Sequence, residues 1–78
     1  MMNKLQDLMT DQVPVQVIVD IDDTLHNVIK GIIKNVGRNY IEVLRPTNQD
    51  EKSRYATDEV KIIVPIEKIA EVMYYQKT

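Results

Sequence analysis

Asp20, Asp22, Asp23 and Thr24 stand at the end of the apolar run in VIVDIDDTL and are the residues best suited by type to covalent chemistry. Asp20, Asp22 and Asp23 together could hold a divalent ion loosely. The bland reading is a solvated acidic turn, because Asp20 and Asp22 share the outward side of an alternating strand. His26, the sole histidine, has no cysteine or serine arrangement beside it and reads as a hydrogen-bonded surface residue rather than a base or ligand. Lys30, Lys34 and Arg38 run along one side of the next segment, and Arg45 follows later. They could track a phosphate backbone, with Tyr40, Tyr74 and Tyr75 as stacking platforms. Equally, the cations form the polar face of a half-buried strand, and the tyrosines suit edges and interfaces.

The aspartate pattern resembles the first motif of the haloacid-dehalogenase phosphatases, a hydrophobic strand followed by DxDxT. That resemblance implies a minimal α/β phosphatase-like protein in which Asp20 attacks phosphorus and Asp22 exchanges a proton with the leaving group, with magnesium bridging carboxylate and phosphate. Its reaction also requires a lysine, a Ser/Thr on a second strand tip and a further acidic pair. A chain of 78 residues is too short for the parallel sheet that would position them, so the solvated turn is preferred.

The elements that must carry these residues follow from periodicity. Asn3 to Gln12 predicts a short helix, with Asn3 as cap, Gln6 in the capping-box position and Leu5, Leu8 and Met9 on one face. Val13, Val15, Val17, Val19 and Ile21 alternate with more polar neighbours and predict a strand buried on one side. LHNVIKGIIKNVG fits two periods. As a helix it aligns Leu25, Val28, Ile29, Ile32, Ile33 and Val36; as a strand it sets Ile29, Gly31 and Ile33 on one side. Its β-branched residues and central glycine favour the strand. Gly37–Asn39 predicts a turn, Tyr40–Arg45 a third strand, residues 46–58 a long polar loop, Glu59–Pro65 a fourth strand, Ile66–Ile69 a tight turn and Ala70–Gln76 a closing strand. The fold expectation is a mostly β, single-domain chain over residues 1–78: a small barrel of five strands with a short N-terminal helix.

Composition narrows the partners. There is no cysteine, so disulfides and thiolate zinc sites are excluded, and one histidine leaves no histidine-rich metal site. Ten basic against twelve acidic residues give a net charge of −2, which argues against phosphate-driven binding. No run reaches the ~18 apolar residues of a membrane span. MMNKLQDLMTDQ lacks the features of a secretory leader, so the sequence predicts a cytoplasmic location. A domain this small buries only about 60–65% of its unfolded surface, which makes self-association the expected supplement to its core.

The order of elements resembles the Sm-like fold, which includes the bacterial RNA chaperone Hfq and the Sm and Lsm proteins. VPVQVIV after a helix containing LQD looks like the start of the first Hfq strand. Gly31, Ile33, Val36 and Leu44 match the spacing of the first Sm motif, and Ile69 and Val72 in IIVPIEKIAEV keep that of the second. Other small SH3-like barrels share such an ending. The resemblance implies a homo-oligomer, in which the fourth strand of one subunit pairs with the fifth of the next. The candidate edges are Glu59–Val64 and Ala70–Gln76, with Val60, Ile62, Val64, Val72 and Tyr74 as edge residues. The family's RNA-holding polar groups fall here on Gly37 and Ile41, then Pro65, Ile66 and Glu67, so the resemblance supports the fold and assembly more than RNA binding.

The expectation is therefore a non-enzymatic binding or scaffold module without metal or cofactor. It self-assembles, in a ring under the resemblance, and takes a protein ligand or, with less support, RNA through Lys30, Lys34, Arg38 and Arg45. A phosphatase-like enzyme and a structural coat or phage component stand as alternatives. Asp20→Asn separates the first of these from the module: under the phosphatase reading it abolishes magnesium-dependent phosphatase activity, and under the module reading it is silent.

Overall fold

The computed structural model describes residues 2–22 and 26–75. The roles given to Asp23, Thr24 and Leu25 lie outside the described residues, as does Gln76; the N-terminal helix begins at Met2, which puts Asn3 inside it rather than at its cap, and the last strand ends at Tyr74, short of the expected Gln76.

The N-terminal segment forms helix α1, Met2–Thr10, with Leu5 and Leu8 buried and Met9 half-buried against the core. It stops through backbone geometry rather than at the proline. Gln12 adopts left-handed φ of 53°, its N–H donates to the Met9 carbonyl, and the Val13 N–H reaches back to Leu8 at 3.1 Å. This double return closes the last carbonyls, and Val13 joins the core beside Leu8.

Five strands follow: β1 (Pro14–Asp20), β2 (His26–Val36), β3 (Tyr40–Pro46), β4 (Glu59–Pro65) and β5 (Ile69–Tyr74). They form one sheet in the order β4-β3-β2-β1-β5, every neighbouring pair antiparallel. The sheet is not closed; β4 and β5 are its two ends. The expectation of a mostly β chain with five strands and a short helix holds. Val15, Val17, Ile29, Ile33, Ile41, Val43 and Val64 line the inner face, and α1 lies across β2 with Leu5 and Leu8 completing the core. Each such side chain contributes about 1.5–3 kcal/mol by leaving water. Ile21, the last residue of the expected alternation, lies beyond β1 and is exposed.

The segment with two periods is a strand. Its helix-like spacing has a simple origin: the inward residues of β2 are Ile29, Gly31 and Ile33, and the middle one has no side chain. A Cβ at Gly31 would lie 2.4 Å from the Leu44 carbonyl oxygen and 2.9 Å from Val43 Cγ1, so β3 bends closely over β2 there. A register shift between Ile33 and Asn35 then lets Val36 pair with Ile41, and a second shift lies between Ile18 and Val19 where β1 meets β5. Such shifts add local bend and twist to a sheet.

The polar loop expected over residues 46–58 is corrected in part, because it contains helix α2, Gln49–Tyr55. Its start is a capping box: the Glu51 N–H donates to Asn48 Oδ1 at 2.8 Å and the Asn48 N–H to Glu51 Oε1 at 3.0 Å. It ends with Ala56 in left-handed conformation, its N–H bonded to the Lys52 carbonyl. No residue of α2 is buried, which is why hydrophobic periodicity carries no sign of it. The expected turn at Ile66–Ile69 is a 3-10 turn over Ile66–Lys68.

Gly31→Ala forces the β2–β3 crossing apart or leaves a backbone clash. Stability by urea denaturation should fall by about 1–3 kcal/mol, the usual range for overpacking a tight site.

Candidate functional site

A polar-and-aromatic recess lies where two turns meet. The β2–β3 turn is closed by the Gly37 N–H donating to the Tyr40 carbonyl at 2.8 Å, which leaves Arg38 and Asn39 projecting at its tip. The Tyr40 ring folds back over Gly37, where a Cβ would come within 2.3 Å of a ring carbon. Across from it, Pro65 holds φ at −62° and starts the 3-10 turn. The Ile66 N–H donates to the Asn39 carbonyl at 2.9 Å and clasps the two turns together. Between them is a cleft of about 500 Å³ lined by Arg38, Asn39, Tyr40, Pro65, Ile66 and Glu67. A ring, a proline and an isoleucine offer apolar surface, while a guanidinium, an amide and a carboxylate can orient a polar group.

Of the four cations read as a basic stripe, only Arg38 reaches this cleft. Lys30 and Lys34 are exposed on β2, Lys34 beside a separate groove next to Ile32, Leu44 and the end of α1. Arg45 is taken by an internal partner: its guanidinium donates to both Glu51 oxygens, at 2.8 and 3.0 Å, and to the Pro46 carbonyl. The fork raises the Arg45 pKa. That fork and the Asn48 N–H hold the Glu51 carboxyl well below the usual range, at about 2. The stripe is thus not assembled into one site.

The five residues assigned to the assembly edges do lie on the two end strands, but Val64 is buried, and Ile62, Val72 and Tyr74 are half-buried against the core. The outward side of the same strands carries Lys61, Ile63, Glu71 and Met73, all exposed. The alternation in EVKIIVP already sets Lys61 and Ile63 opposite Val60, Ile62 and Val64 in the sequence, but the edge assignment takes the inward set; the same period through IAEVMY gives Glu71 and Met73.

At the opposite end of β1, His26 Nδ1 lies 2.7 Å from Asp20 Oδ1, the two residues being cross-strand partners. Asp22, Ile21 and Lys68 line the same shallow recess. The strand–helix unit that a phosphatase reading requires is not formed, because residues 26–36 pair with β1 as an antiparallel strand. Among the described residues no group of three acidic, histidine or cysteine side chains could hold a metal ion.

No known protein family, curated protein or solved structure matches this chain. The reading of its function therefore rests on its own geometry. Among the described residues no helix is long and apolar enough to cross a membrane.

The depressed Glu51 carboxyl has a directional consequence. Its contribution to holding α2 on β3 is fully present above the ordinary carboxylate range and is lost as pH falls toward about 2. An NMR titration should place the Glu51 midpoint near 2, and Arg45→Gln should move it up while weakening the helical signals of residues 49–55.

Proposed function

We propose that this chain is a non-enzymatic, cytoplasmic scaffold or binding module of the Sm-like or SH3-like kind. It assembles with copies of itself through its sheet ends and takes a ligand in the Arg38–Tyr40/Pro65–Glu67 cleft. The observation that carries the reading is the strand order β4-β3-β2-β1-β5 with a helix packed across β2, both end strands having no neighbouring strand among the described residues. An end strand presents a row of backbone donors and acceptors that a second chain can pair. In a domain of 78 residues the added burial supplements a small core.

For the ligand, the cleft favours a protein segment over RNA. Its one cation, Arg38, shares the cleft with the Glu67 carboxylate. Arg45 is committed to Glu51, and the chain as a whole carries −2. Phosphate-tracking sites need an excess of unpaired cations. Tyr40, Pro65 and Ile66 instead suit an apolar or proline-bearing side chain flanked by hydrogen-bonding groups.

Light scattering after size-exclusion chromatography should give a native mass several times the 9.1 kDa of one chain. A monomer at every concentration would overturn the assembly reading. Tight, salt-sensitive binding of single-stranded RNA would transfer the ligand assignment to RNA.

A further inference from the structure

A notch between α1 and the end of β5 combines aromatic surface with negative charge. We propose that it takes an arginine side chain of a partner protein, the guanidinium stacking on the Tyr75 ring and donating to the Asp7 and Asp11 carboxylates.

Lys4, Asp7, Leu8 and Asp11 recur at i, i+3, i+4 and i+7, one stripe along α1 and the turn that closes it. Val13, Tyr74 and Tyr75 complete the notch, whose volume is about 250 Å³. That is smaller than the ~300–1,000 Å³ of a small-molecule site and suits a single side chain. It shares no lining residue with the Arg38–Glu67 cleft. The place already attracts a cation: the Lys4 ammonium stands 5.0 Å from the centroid of the Tyr74 ring. Tyr74 first, then Asp7 and Asp11, raise the Lys4 pKa. One ammonium thus faces two exposed carboxylates, and neither Asp7 nor Asp11 forms an ion pair among the described residues. Beside them the Tyr75 ring is 78% exposed.

The helix itself disfavours this placement of charge. Asp11 follows the last turn of α1, at its negative end, where a basic residue is the favourable neighbour and the last turn holds none. Asp7 and Asp11 are four residues apart, the spacing at which like charges repel. A cation arriving from outside relieves both repulsions. Guanidinium fits better than ammonium, because its flat face stacks on a tyrosine ring while its edge donates to more than one carboxylate oxygen. The same two carboxylates repel a phosphate backbone, which sets these tyrosines apart from a nucleic-acid platform.

The probe is an acetylated, amidated tripeptide with arginine between two glycines, titrated into the full chain at low salt and followed by NMR. Saturable shifts are expected at Asp7, Asp11 and Tyr75, and none with citrulline in place of arginine. Asp7→Asn combined with Asp11→Asn should weaken binding by about fivefold or more, and Tyr75→Ala by about threefold. The double asparagine variant should unfold at the same temperature as wild type or higher. A lower unfolding temperature would assign the carboxylates to the fold, and equal binding of the citrulline peptide would remove charge recognition; either overturns the proposal. So does a titration without saturable shifts. Shifts at the same residues on concentrating the chain without peptide would make a second copy the occupant and overturn it as well.

Discussion

Where every other inward position of the middle of β2 holds an isoleucine, Gly31 holds a hydrogen, and the Leu44 carbonyl of β3 occupies the space a methyl would need. The two strands therefore approach more closely than a flat pleat permits. The bend that results turns Ile29 and Ile33 toward Val17, Ile41 and Val43, so that residues from several strands share one small core. The β3–β4 ladder, which pairs Tyr40 with Pro65, sets the β2–β3 turn beside Ile66, whose N–H meets the Asn39 carbonyl. The core gathers around this close approach, and the cleft around the end of the β3–β4 ladder.

Polar contacts do different work from the core. Leu5 and Leu8 dock α1 on the sheet, but its end is set by the left-handed Gln12 and the return of two N–H groups to Met9 and Leu8. At α2 the balance is reversed: no apolar side chain is buried, and Glu51 accepts from Asn48 and from both arms of Arg45. A seven-residue helix is unstable alone in water, so this carboxylate, ionised down to about pH 2, is what keeps the helix beside β3.

Much of the fold was legible because burial writes itself into alternation. β1, β3 and β4 stand within about a residue of where their β-branched runs place them, and β5 starts one residue earlier than expected. The segment over β2 was ambiguous for a stated cause: a missing side chain at Gly31 turned a period of two into a spacing of four. α2 was illegible to any rule based on burial, although Asn48 and Glu51 already had the spacing of a capping box. The cleft was invisible for another reason. Arg38–Tyr40 and Pro65–Glu67 lie some 25 residues apart and meet through the register of the β3–β4 ladder, which pairs Tyr40 with Pro65 and which the pattern of either strand alone does not record. Arg45 misled because a cation in sequence looks the same whether it faces solvent or an internal carboxylate.

The way α2 is attached has a consequence for the chain's tolerance of change. Thr47 and Asp58 are joined by a backbone hydrogen bond of 3.0 Å, and the Thr47 hydroxyl donates to the Thr57 carbonyl, so β3 and β4 are zipped together before the excursion begins. Lengthening a loop whose ends are already held costs little closure entropy, and nothing in α2 reaches the core. The tip of this excursion is thus a natural graft point. A foreign peptide or a whole folded domain inserted after Tyr55 would be displayed from the side of the sheet while the five-stranded body beneath it keeps its own folding equilibrium.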